Sequence, residues 1–144
     1  MPRYVSWIRH SDAMRVHGRL LAGEVGELAG VSGTTIGQWA RWGYIRASQS
    51  TGDPHVYSVE DVAEAAMVHA LLERGVSHAQ VRRAIAHLPG IWPLSDAQLA
   101  VAPGRRPRLV LRDGDGAFAL SPRGWQLMAA PPPLEDVRLR LRRS

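Results

Sequence analysis

Between residues 23 and 43 the apolar positions fall into two short helical stripes broken by a single glycine. Val25 and Leu28 are three apart in the first segment, and Ile36 and Trp39 are three apart in the second. That spacing puts each pair on one face of a helix. Gly30 between them supplies the left-handed exit that costs glycine least. Val31 plugs the corner, and Ser32 is a natural N-cap for the second helix. Gly26 is small where the two helices should approach closely. Thr34, Thr35, Gln38 and Arg41 remain on the outer side. The pattern predicts a helix-turn-helix.

Past Gly43 the periodicity changes. Residues 44–48 and 55–58 are short strand-like runs around a turn-rich loop at 49–54, which together predict a hairpin placed as a wing. Ser58 and Asp61 satisfy the S/T-x-x-D/E capping pattern. A helix is predicted over 59–74, with Val62, Ala65, Ala66, His69 and Leu72 at helical spacing and Gly75 to end it. A second capping pattern at 77–80 opens another helix, whose inward stripe is Val81, Ala84, Ile85 and Leu88.

These pieces in this order resemble the MerR family of winged-helix transcription regulators. The segments that carry the likeness are GEVGELAGVS, TTIGQW, the Gly43-Tyr44-Ile45 exit and HVYSVEDV, and they cover about residues 20–88. The resemblance implies a duplex-DNA reader. Two positions depart from the family pattern: Gly37 stands where its recognition helix usually has an arginine, and His55 where its wing carries another. The long antiparallel coiled coil with which the family dimerises is also missing, because Pro89, Pro93, Pro103 and Pro107 interrupt the stretch that follows.

The remainder predicts a different, smaller module. Ser95 and Gln98 bracket one expected helical turn. Residues 108–112 and 117–120 flank Asp113-Gly114-Asp115-Gly116, a hairpin signal rather than a calcium loop, since the third acidic position and terminal glutamate are absent. Ser121-Pro122 reads as N-cap and first turn of a helix over 123–130, with Trp125 and Met128 inward. Three prolines precede residues 134–143, where Val137, Leu139 and Leu141 alternate with Arg138, Arg140 and Arg142. That is the period of a half-buried strand. The expected class is α+β, mainly α: a winged helix-turn-helix followed by a small C-terminal β-hairpin/helix/strand module. The expected division is an N-terminal helix or arm at 1–22, the winged unit with its two following helices at 23–88, and a basic α+β module at 89–144.

Composition narrows the chemistry. Cysteine is absent, which removes disulfides, thiolate metal sites and thiol nucleophiles and suits a cytoplasmic chain. No apolar run is long enough for a membrane span, and the basic start lacks a signal core. The histidines share no ligand spacing, so no metal and no cofactor are expected, and no catalytic motif is present, so no enzyme is expected. The net charge is +5, yet residues 19–58 are neutral and 91–144 carry +4. Phosphate neutralisation supplies much of DNA affinity, so a reader this neutral needs help from dimerisation or from the C-terminal arginines. The expected DNA contacts are Gln38 to adenine, Thr34 and Thr35 to thymine methyls or phosphates, and Arg41, Arg46 and His55 to the backbone. The expected role is a sequence-specific regulator acting as a homodimer on an inverted repeat. The alternative is an antitoxin that represses its own operon and neutralises a ribonuclease toxin, with Arg138, Arg140 and Arg142 entering the toxin.

Overall fold

The computed structural model describes residues 18–49, 52, 54–87 and 97–138. They form two compact units, 18–66 and 67–138. The expected helix or arm at 1–22 lies mostly outside the described residues. Its last part is extended: Leu20 and Tyr57 exchange two backbone hydrogen bonds of 2.8 Å each.

The first unit opens with α1 (Ala22–Ala29) and α2 (Gly33–Arg41), which pack on each other. Leu21 precedes α1, and its N–H donates to Glu24 Oε1 at 2.9 Å, satisfying one of the helix's orphan donors. Gly30 is left-handed at φ 95° and ends α1, its N–H donating to Gly26 O at 2.7 Å. Ser32 then caps α2 by accepting from Thr35 N at 3.1 Å. A Cβ on Gly26 would lie 2.4 Å from Val31 O, and one on Gly33 would lie 3.0 Å from Gly23 Cα. Gly26 therefore cannot take a side chain without shifting the turn, and at Gly33 one would need the neighbouring backbone to give by a few tenths of an ångström. Val25, Ala29, Ile36 and Trp39 are buried, as the stripes predict, while Leu28 is half-buried.

Residues 44–48 do not form the expected strand ladder with 55–58. The donors are committed elsewhere: Tyr44 N–H goes to Trp39 O at 2.9 Å, and Ser48 N–H goes to the Asp61 carboxylate at 2.9 Å. Tyr57 is already paired with Leu20. Between the two runs the described residues keep one backbone hydrogen bond, Gln49 N to Val56 O at 3.1 Å. Tyr44, Ile45 and Ala47 are buried, so the segment packs by its side chains instead.

Helix α3 (Val59–Glu73) follows, and the division between the units falls within it. It is buried around more of its circumference than one stripe, with Val62, Ala65 and Ala66 joined by Glu64, Met67, Val68 and Leu71. His69 and Leu72 are only half-buried, and His69 Nε2 lies 3.5 Å from Glu73 Oε1. At its N-terminus Asp61 Oδ2 accepts from Ser58 N at 2.8 Å, Ser48 N at 2.9 Å and Ser48 Oγ at 2.7 Å. Ser58 Oγ reciprocates on Asp61 N at 3.2 Å, which completes the capping box. Asp61 is fully buried. Burial raises its pKa above 3.8, and the hydrogen bonds from Ser48 and Ser58 only partly oppose that.

In the second unit Gly75, at φ 87°, ends α3, and Ser77 Oγ caps α4 (His78–His87) on Gln80 N at 3.1 Å. Leu88, on the predicted stripe, lies outside the described residues; Val81 and Ala84 are buried. Five strands form one antiparallel sheet: β1 (Leu99–Ala102), β2 (Arg108–Asp113), β3 (Gly116–Ser121), β4 (Gly124–Leu127) and β5 (Glu135–Asp136), in the order β4-β3-β2-β1-β5. The two-residue turn Gly114-Asp115 joins β2 to β3, with Asp113 opposite Gly116. Strand pairing of β2 with β3 stops at Val110–Ala119, and there the Gln80 side chain takes over. Its Oε1 accepts from Leu109 N at 3.0 Å and its Nε2 donates to Pro107 O at 2.9 Å.

The expected helix over 123–130 is strand β4. Ser121 Oγ accepts from Arg123 N and donates to Gly124 O at 2.9 Å, and Gly124 takes φ 112°. Ser-Pro therefore closes a two-residue turn, and period two overrides period three. Trp125 Nε1 donates to His87 O at 3.2 Å on one face. Met128 and Leu134 pack on the other face against Ala100, Ala102, Val110 and Ala117. Of the expected helical turn at 95–98, Ala97 and Gln98 are not helical and lead into β1, while Ser95 and Asp96 lie outside the described residues. Its four apolar residues are buried on both sides of the sheet and so show no alternation. The expected strand over 134–143 is two residues long where it is described, with Val137 N bonding Leu99 O at 2.9 Å beyond it.

Two outcomes follow for stability. Gly26→Ala should lower the unfolding free energy by about 1–3 kcal/mol through overpacking. Gly23→Ala, whose Cβ would meet nothing within 4 Å, should raise it by about 0.5–1 kcal/mol through helix propensity; equal denaturant midpoints for the two variants would contradict this. Asp61 holds its proton to higher pH when folded than when unfolded, so its contribution is fullest below its unfolded pKa and is lost as pH rises through the raised value. Urea midpoints measured from about pH 4 upward should therefore show the wild type losing ground to Asp61→Asn, and a gain would contradict the raised pKa. Asp61→Ala should cost about 2–3 kcal/mol, because the buried Ser58 N–H and the part-buried bonds from Ser48 lose their acceptor.

Candidate nucleic-acid interface

The outer face of α2 presents Thr34, Gln38 and Arg41 at spacings of four and three, which aligns them in one stripe. Thr34 and Arg41 are exposed and Gln38 is half-buried. Thr35 turns partly inward, its Oγ1 2.9 Å from Ser32 Oγ. It serves the cap first and has less of its surface to offer a ligand. Gly37 lies under the guanidinium of Arg41, since a Cβ there would be 3.6 Å from Arg41 Nη1.

From Arg41 the stripe runs into a groove of about 630 Å³. Ala40, Gly43, Ile45, Ala47 and Ser48 form its floor and sides, and Arg41, Arg46 and His55 line it. The three residues expected to hold backbone phosphates are thus gathered around one concave surface, although they stand as far apart as 41 and 55 in sequence. Arg46 is exposed and His55 half-buried, the latter edge-on to Tyr57 with ring centroids 6.2 Å apart. Arg41 also acts on Tyr57: burial raises the phenol's pKa most, Asp61 raises it further, and Arg41 pulls it back.

The groove's position depends on a residue that local pattern does not single out. Ser48 lines it and is also the group through which Asp61 grips this segment. The 58–61 capping pattern identifies Asp61 as a helix cap, but nothing near residue 48 marks a partner thirteen positions away. Trp42, half exposed at the end of α2, stacks edge-on with Tyr44 at 5.6 Å and likewise borders the reader.

The residues expected to meet a protein partner are described only in part. Arg138 is exposed at a hollow of about 330 Å³, where Arg112 Nε lies 2.6 Å from Asp136 Oδ1. Arg140 and Arg142 lie outside the described residues. Among the described residues no three metal-ligating side chains cluster, and no helix is long and apolar enough to cross a membrane.

The capped helix pair, the polar stripe and the basic groove agree with what comparison finds. Residues 21–88 match the family model described as MerR HTH family regulatory protein. No match was found among curated proteins or among solved structures. Over residues 21–88, just under half of the chain, the sequence is similar to MerR-type helix-turn-helix regulators.

Proposed function

We propose that this chain is a cytoplasmic, sequence-specific DNA-binding transcription regulator that acts as a two-fold dimer on an inverted repeat. The observation that carries the reading is the continuity of the α2 stripe with the groove. Thr34 and Gln38 stand where a helix in the major groove meets base edges. Arg41, Arg46 and His55 lie just beyond, around a concavity that this reading assigns to a phosphate strand. In this reading Gln38 reads adenine through its amide, and Thr34 meets thymine methyls or phosphate. Thr35, engaged with Ser32, contributes its methyl.

Dimerisation follows from charge. Residues 19–58 carry no net charge, so one reader neutralises few phosphates, and a second doubles the contacts. Half-sites then lie about 34 Å apart, one helical turn, or a multiple of it.

Fluorescence anisotropy on duplex DNA should show affinity falling linearly in log–log form with salt, and a flat response would contradict phosphate contact. Gln38→Ala should cost about 1–3 kcal/mol at one base step and relax specificity there. Arg46→Ala should weaken all sequences alike and make the salt slope shallower by about one phosphate. Identical profiles for the two variants would refute the separation of reader from anchor.

A further inference from the structure

The sheet of the second unit has two edges, and they are built differently. The β5 edge is two residues long, both acidic, and follows Pro131-Pro132-Pro133. Short length, charge and proline are the means by which sheets refuse further strands. The β4 edge has none of them: Gly124-Trp125-Gln126-Leu127 is neutral and contains no proline. Leu127, an apolar side chain on that edge, is 68% exposed.

The pairing shows which groups that edge offers. Met128 N donates to Ala117 O at 2.8 Å, and antiparallel ladders alternate, so Gln126 and Gly124 also face β3. The N–H and C=O of Trp125 and Leu127 therefore point away from the sheet, and among the described strands none pairs there. On one face of the sheet, a cross-strand row runs Leu99, Leu111, Phe118, Leu127. Leu99 is buried, Leu111 and Phe118 are half-buried, and Leu127 is open. The apolar surface continues to the edge, where none of the described strands covers it.

We propose that this edge is the homodimer interface: the β4 strands of two copies pair antiparallel about a two-fold axis and join two five-stranded sheets into one of ten. One register uses every outward group. Trp125 of one copy sits opposite Leu127 of the other, and Gln126 faces Gln126. Each protomer's two N–H and two C=O groups then find partners, and each open Leu127 lies across from a half-buried Trp125 on the same face. A shift by two residues either way pairs Trp125 or Leu127 with its own copy and leaves the other opposite residues outside the strand. Charge agrees with the register. It places the turn carrying Arg123 beside the end of the partner sheet that carries Asp113 and Asp115, so that no like charges meet. The proposal supplies the contact that the dimeric reading of the reader requires, but it is argued from the sheet alone.

The test uses the full chain. Light scattering on the wild type should give twice the chain mass, and Leu127→Lys should give the chain mass with an unchanged far-ultraviolet circular dichroism spectrum, since the side chain is already exposed in the monomer and only the stability contributed by assembly is lost. The chain has no cysteine, so Gln126→Cys introduces a single thiol at the axis. Opposed residues of a non-hydrogen-bonded pair stand about 4.5 Å apart at Cα, within disulfide reach. Mild oxidation should convert that variant to a covalent dimer at least tenfold faster than Arg105→Cys, on the exposed β1–β2 loop. A monomeric wild type, a Leu127→Lys variant that stays dimeric, or equal crosslinking at 126 and 105 would each overturn the proposal. DNA titration separates the two readings. If Leu127→Lys is monomeric yet binds a single half-site, both stand; if neither protein binds DNA while the wild type is dimeric, only the DNA reading fails.

Discussion

One buried carboxylate holds the reader unit in shape. Asp61 sits in the first turn of α3, where the helix's own unsatisfied N–H groups favour an acceptor. The same oxygen also takes the N–H and hydroxyl of Ser48, a residue in the segment leaving α2. A short-range cap and a long-range tie are thus one interaction. Without the tie, residues 44–48 would keep the Tyr44 N–H bond to Trp39 O and the buried side chains of Tyr44, Ile45 and Ala47, but would lose the Asp61 anchor on Ser48. Full burial of a carboxylate is costly. Here Ser48 and Ser58 offset the cost without cancelling it, as the raised pKa records.

The same economy appears in the second unit, where Gln80 substitutes for a strand. Its amide presents one donor and one acceptor, the pair that a peptide unit presents, to Pro107 O and Leu109 N. The α4 helix is thereby fastened to the sheet where β3 no longer pairs with β2. Trp125 Nε1 fastens the same helix at its other end, on His87 O. The opposite face of the sheet is lined by alanines, which lets Met128 and Leu134 lie close against it as the chain passes from β4 to β5.

For DNA the consequence is a reader that is weakly charged but well placed. Gly37 contributes no charge, and the Arg41 guanidinium lies beside it along α2. Arg46 and His55, neighbours of Arg41 only in space, complete the groove. Few cations arranged around one concavity favour contact with a defined stretch of backbone over diffuse attraction.

Local rules decide the elements whose partners lie within one turn. The α1–Gly30–α2 turn, the Ser32, Ser58 and Ser77 caps, the glycine stop at 75 and the Gly114-Asp115 turn all follow from residues within four positions of each other. So does the outward set Thr34, Gln38 and Arg41, because helical period orients it once the inward face is known. Three outcomes needed tertiary structure. The fate of 44–48 was decided by Asp61 and Trp39, which claim its backbone donors. Residues 123–130 have apolar positions compatible with either a helix or a strand, and the choice fell to β3, which offers a free edge that only an extended chain can use. The run Leu99–Ala102 is apolar at every position, and whether such a run coils or extends depends on whether strands flank it on both sides. A sequence specifies each residue's own preferences. Which donor meets which acceptor thirteen or forty positions away is settled only when the chain has brought them together.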